Sequence, residues 1–168
     1  STEWQITGVG DLSIQGFADG LSVNIGSTID FKVDVDPPAD FSMKIYRLGY
    51  YQGLGARLQA DLGTISGFAQ PDPYYDDNLG LTKCNNWAVT TSWAVPAAAV
   101  SGVYIAKLTR LDNGGSSHII FIVRNDNTPA DLLFKTSDAT WQAYNNYGGH
   151  SLYVGPIPGY THAVKVSY

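Results

Sequence analysis

The chain has 168 residues, 44% of them hydrophobic and only 15% charged, with a formal net charge of −5. That length allows one ordinary domain, or one domain plus part of a second. Ten Lys and Arg against fifteen Asp and Glu exclude the clustered positive charge that nucleic-acid binding requires, and no apolar run approaches the roughly 20 residues of a membrane-spanning helix.

The patterning has a period of two. In residues 29–36 the odd positions (Ile29, Phe31, Val33, Val35) are apolar and the even ones charged, which is a strand with one face in a core and one in water. Short strands are expected before it, near Ile6, at 13–17 and at 21–25, and Pro37-Pro38 ends it. A strand follows at 42–48, with Met43 and Ile45 on one face. Residues 49–83 are rich in glycine and less regular, and read as one or two short strands and a long exposed loop. Residues 87–95 are expected to be a strand on which Trp87, Val89, Thr91, Trp93 and Val95 share a face. The clearest local feature is a hairpin: β-rich runs at 103–111 and 117–124 flank Asp112-Asn113-Gly114-Gly115, which supplies residues tolerant of positive φ. About seven strands in roughly 125 residues predict an all-β fold, an immunoglobulin- or fibronectin-like antiparallel β-sandwich spanning residues 1–125.

After the polar stretch 125–129 the pattern changes. Residues 126–168 read as a C-terminal extension of strand, helix and hairpin. Leu132-Leu133-Phe134 is expected to be a buried-type strand, residues 140–144 a helix capped by Ser137 or Asp138 and ended by Gly148-Gly149, and 151–168 a hairpin turning at 156–159. About 40 residues cannot bury a core alone. The extension must dock on the sandwich, pair with another copy, or begin a larger domain.

Candidate chemistry is sparse. Cys84 is the only cysteine, so there is no disulfide framework. His118, His150 and His162 show no ligand spacing. There is no GxSxG elbow, and Glu3 is the only glutamate, which leaves no evident carboxylate pair for glycoside hydrolysis. Asp72, Asp76 and Asp77 form the densest acidic cluster; its oxygen donors suit Ca²⁺, against the plainer reading of a solvated loop. Tyr50, Tyr51, Tyr74 and Tyr75 are candidates for stacking on a glycan, because adjacent residues of an extended chain point opposite ways and one of each pair should be exposed. Arg47 and Arg57, which flank a glycine-rich stretch, and Trp141, Tyr144 and Tyr147 read as interface residues. The aromatic-rich, charge-poor composition and the absence of a signal-peptide pattern fit a mature secreted chain whose targeting segment has been removed.

Four stretches occurring in order carry a family resemblance: Ile45-Tyr46-Arg47-Leu48-Gly49-Tyr50-Tyr51-Gln52-Gly53-Leu54-Gly55-Ala56-Arg57; Cys84-Asn85-Asn86-Trp87; residues 101–108 beginning Ser101-Gly102-Val103-Tyr104; and Trp141-Gln142-Ala143-Tyr144-Asn145-Asn146-Tyr147-Gly148-Gly149 with Ser151-Leu152-Tyr153. The chain resembles secreted bacterial proteins related to the large (beta) subunit of N,N-dimethylformamidase. The resemblance implies an all-β region followed by a large α/β domain that begins near Trp141. It also implies an amide hydrolase whose iron site, built from Tyr and Glu, lies in that later domain, so no catalytic residue or iron ligand is assigned here. The expected function is a non-catalytic extracellular module that packs against the following domain, other copies of itself, or a glycan. The alternatives are a fragment of an amidohydrolase with its active site elsewhere, and a filament or surface-layer subunit that exchanges strands.

Overall fold

Alternation at period two produces the sandwich. Strand β3 (Thr28–Val35) buries Ile29, Phe31, Val33 and Val35 and turns Asp30, Lys32 and Asp34 outward. It is the centre of a three-stranded sheet, antiparallel to β1 (Ile14–Ala18) on one side and β8 (Thr91–Ala94) on the other. The second sheet has five strands in the order β2 (Ser22–Asn24), β10 (Ser116–Arg124), β9 (Gly102–Arg110), β4 (Asp40–Leu48), β5 (Ala56–Ser66). All its pairings are antiparallel except β2 with β10, which is parallel. Between the sheets lies one core that includes Phe31, Met43, Ile45, Trp93, Tyr104, Leu108 and Phe121, with Phe121 edge-on to both Phe31 and Trp93. The fold is an all-β sandwich, as expected.

The structure is a computed structural model, and it describes residues 2–155 and 162–167. It divides into two compact units: Ser1–Gln70 with Ala88–Pro129, and Pro71–Trp87 with Ala130–Tyr168. The first is the sandwich. Gln70 clasps the chain where it leaves and re-enters this unit: its Oε1 accepts from Ala88 N and its Nε2 donates to Ala88 O, each at 2.9 Å.

The 103–111 and 117–124 hairpin forms as β9–β10, and the 42–48 strand forms as β4. Other boundaries move. No strand forms at Ile6, where residues 2–10 cross the outer face of the five-stranded sheet as an irregular strap; Trp4 covers a small cluster of Tyr46, Ala56 and Ile105. The strand expected at 87–95 begins only at Thr91: Trp93 and Val95 enter the sandwich core, Val89 is exposed, and Trp87 belongs to the second unit. Between 49 and 83 the chain is more ordered than expected, with an eleven-residue strand, β5, and a small hairpin of β6 (Tyr74–Asp76) and β7 (Leu81–Lys83). Only Ala56, Ala60, Leu62 and Ile65 of β5 are sheltered, as suits an edge strand, and a weak apolar signal follows from that.

In the second unit the helix forms as α1 (Asp138–Tyr144), and the chain then passes through a 3-10 turn at Tyr147–Gly149 rather than running helically to the glycines. Leu132-Leu133-Phe134 forms no strand and is 81–95% exposed, because no neighbouring strand among the described residues supplies the ladder an extended segment needs. The 156–159 turn lies outside the described residues. Ala163 N still donates to Ser151 O at 2.8 Å, and Val164 N to Leu79 O at 2.7 Å, but 162–167 is not a strand.

Candidate functional site

The loop joining β4 to β5 is the most strained part of the sandwich unit. Tyr51 (φ 39°) and Gln52 (φ 58°) are consecutive non-glycine residues in the left-handed region, a conformation that costs on the order of 1–3 kcal/mol per residue and marks functional loops. The loop closes on itself: Gly49 N donates to Gly55 O at 2.9 Å, Gly53 N to Tyr50 O at 2.8 Å and Leu54 N to Tyr51 O at 3.2 Å. Two arginines hold the half-buried Tyr51 ring. Arg47 Nη1 donates to the Tyr51 hydroxyl at 2.7 Å, while its Nε and Nη2 donate to Ser101 O at 3.2 and 2.9 Å. The Arg57 guanidinium stacks over the ring, 4.4 Å from its centre. Tyr50 is 83% exposed beside them.

In the second unit, the β6–β7 hairpin places Tyr75 against His150. The Tyr75 hydroxyl lies 2.9 Å from His150 Nδ1 and the rings stack at 5.5 Å. Pro73, Tyr75, Thr82, Tyr147 and Gly148 line a shallow cleft of about 350 Å³. Only glycine fits at 148: a Cβ there would lie 2.1 Å from Thr82 Oγ1, and φ is +81°. Trp87 anchors the hairpin base through Nε1 to Pro71 O at 3.0 Å and sits edge-on to Tyr147. On α1, Trp141 and Tyr144 are exposed, and Tyr144 stacks on Tyr153 with ring centres 4.3 Å apart. No residue of α1 is buried.

The four tyrosines proposed for glycan stacking therefore fall into separate settings. Tyr50 is open, Tyr51 is clasped by arginines, Tyr74 is exposed with Lys83 Nζ 5.7 Å from its ring centre, and Tyr75 is bound to His150. Asp76 Oδ1 accepts from Asn78 N and Leu79 N and so caps the β6–β7 turn, Asp72 uses its backbone carbonyl to accept from Asn86 Nδ2, and Asp77 is exposed. Among the described residues no three His, Cys, Asp or Glu side chains gather closely enough to hold a metal. The cross-strand meeting of Arg47 and Arg57, and the Tyr75–His150 pair 75 residues apart, were not read from the sequence. The first had a usable signal in two arginines flanking a loop between apolar runs; the second had none.

The family described as N,N-dimethylformamidase beta subunit-like, C-terminal, matches residues 42–168. The chain belongs to that family. The N,N-dimethylformamidase beta subunit-like resemblance seen in the four sequence stretches is thereby borne out. Among solved structures, a cellulose-active lytic polysaccharide monooxygenase, CelS2, in complex with copper shares 14% identity over 64% of this chain and 53% of its own, with a TM-score of 0.37. An AA10 lytic polysaccharide monooxygenase from Streptomyces lividans shares 19% over 61% and 56%, at 0.35. Murine CEACAM1b shares 16% over 68% and 55%, at 0.31. The chain thus spans about half the length of these structures. No curated protein matches it.

The family resemblance implies iron held by Tyr and Glu, and the donors present here do not fit such a centre. The sole glutamate, Glu3, is bound by Lys44 Nζ, and this hydrogen bond and charge hold its carboxyl below the usual range.

Proposed function

We propose that this chain is the non-catalytic β-sandwich portion of an N,N-dimethylformamidase beta subunit-like protein, and that its second unit is an edge completed by further protein, the α/β domain that the family resemblance implies. The observation carrying this reading is the exposure of Leu132, Leu133 and Phe134, at 90, 95 and 81%. Each such side chain forgoes about 1.5–3 kcal/mol of burial. Among the described residues, twelve of the 23 large apolar side chains that are exposed belong to the second unit, which holds fewer than a third of those residues. Concentrated exposure of this kind marks a surface meant to be covered. Trp141, Tyr144 and Tyr147 of the same unit are exposed as well. The low charge content supports an extracellular setting.

A competing reading, distinct from an amidohydrolase fragment with its active site elsewhere, places amide hydrolysis within these 168 residues. The single, ion-paired glutamate weighs against it. Purified chain assayed on N,N-dimethylformamide, with and without added ferric iron, separates the two readings. The expected result is no release of dimethylamine above the protein-free rate. Turnover abolished by a heat-denatured control would overturn the proposal.

A further inference from the structure

We infer that the Arg47–Tyr51–Arg57 cluster is a docking point for an acidic side chain of a partner polypeptide. Arg47 and Arg57 stand directly opposite one another in the β4–β5 register, an arrangement in which like charges repel. Of the seven Lys and Arg residues of the sandwich unit, four face a carboxylate: Lys32 with Asp19, Lys44 with Glu3 and Asp61, Arg110 with Asp112, and Arg124 with Asp126. Lys107 is spent on the carbonyls of Glu3 and Gln5. Arg47 and Arg57 meet no carboxylate among the described residues, in a chain whose net charge is −5. An acidic protein that pairs its other sandwich arginines with Asp, yet sets these two side by side without one, leaves the counter-charge to be supplied from outside.

The geometry selects the form of that anion. Arg47 is oriented by Ser101 O and the Tyr51 hydroxyl, and Arg57 by the Tyr51 ring. Four of the loop's N–H groups, at Gly49, Gly53, Leu54 and Gly55, are consumed by carbonyls within the loop, which leaves less backbone to cradle a tetrahedral phosphate. What faces outward is the planar fork of exposed Arg57, which matches the two oxygens of a carboxylate. Tyr50, 83% exposed, offers an aromatic face to the residue flanking that carboxylate. The inference rests on the sandwich unit alone and is independent of the role proposed for the second unit.

The test is an NMR titration of the ¹⁵N-labelled 168-residue chain at low salt with a capped peptide carrying two adjacent aspartates, read at the arginine Nε–Hε resonances. Sodium chloride at matched ionic strength and inorganic phosphate are run in parallel. Saturable shifts at Arg47 and Arg57 are expected with the peptide, with Kd weakened about tenfold or more in Arg57→Gln and nearly as much in Arg57→Lys, which keeps the charge but loses the fork. Because Arg57 is exposed, Arg57→Gln should keep the parent spectrum elsewhere, which separates loss of binding from loss of fold. Shifts that equal those of chloride, persist in Arg57→Gln, or are exceeded by phosphate overturn the inference, and each would leave the reading of Leu132–Phe134 untouched.

Discussion

His118 shows how a single side chain ties the amino-terminal strap to the sheet. Its Nε2 donates to Trp4 O at 2.6 Å, and Lys107, directly opposite it on β9, donates to the carbonyls on either side, Glu3 O at 2.6 Å and Gln5 O at 2.9 Å. Burial holds the imidazole pKa down, and the Lys107 charge adds to the effect, against the hydrogen bond to Trp4 O, which favours protonation. A histidine whose folded pKa lies below its unfolded value near 6.5 binds more protons when unfolded, so stability is fully present above that value and is lost as pH falls through it. Urea midpoints should therefore decline as pH is lowered from about 7 to 5, and His118→Gln, which can still donate to Trp4 O, should flatten the decline. An unchanged slope in the variant would assign it to other groups. The depressed carboxyls of Asp11 and Asp112, held by Ser13 and Arg110, act in a separate window: their contribution is present above about pH 4 and lost on acidification below it. Gly67 makes a different point. A Cβ there would lie 2.4 Å from Ala39 O and 2.7 Å from Val35 Cγ2, and backbone cannot give way cheaply. Gly67→Ala should lower stability by roughly 1–3 kcal/mol at an unchanged denaturant m-value.

At the scale of elements, the strap of residues 2–10 performs the work of a strand without being one. Through Trp4 it packs, beside Leu48, against Tyr46, Ala56 and Ile105, and Trp4 Nε1 also donates to Leu54 O at 2.9 Å at the end of the strained loop. Trp4→Ala should therefore cost about 1–3 kcal/mol by exposing that cluster. It should also loosen the 49–55 loop, read as faster amide exchange at Gly49 and Gly55 relative to β9; unaltered exchange there would uncouple strap from loop. Elements whose apolar residues largely alternate, β3, β4 and the β9–β10 hairpin, were legible in the sequence because each turns a regular apolar face to the core. The strap was not, since its anchors His118 and Lys107 lie more than 100 residues away and its own pattern has no period. Strand β5 was hidden for a related reason: at the sheet's edge, with register shifts against β4 at Ser42/Lys44 and Ile45/Tyr46, its alternation is broken and half its apolar signal is missing. Leu132-Leu133-Phe134 misled in the opposite direction. Three apolar residues in a row are the mark of a buried strand, but such a strand needs neighbours on both sides, and none is supplied within these residues. The candidate site shows the same division. Arg47 and Arg57 could be picked out as a pair, whereas the positive-φ turn that puts Tyr51 between them is invisible to pattern.

For the whole molecule, the two units differ in kind. The sandwich buries an extensive core between its sheets, and encloses Arg110, which donates to Ser13 O, Pro37 O and Asp112. The second unit buries few apolar side chains, Leu81, Trp87 and Ala163 among them, and leaves a seven-residue helix with no buried face, far below the length at which a helix holds itself in water. Local stability should follow the same division. The most direct test of the account is hydrogen exchange by mass spectrometry on the 168-residue chain and on a polypeptide extended through the family's α/β domain. In the short chain, Leu132–Phe134 and α1 should exchange at near-unprotected rates while β9 and β10 remain protected. In the extended polypeptide the same segments should slow by about 100-fold or more, the gain expected when an uncovered edge joins a packed layer. Protection of Leu132–Phe134 equal to that of β9 in the short chain, or no gain in the extended one, would contradict it.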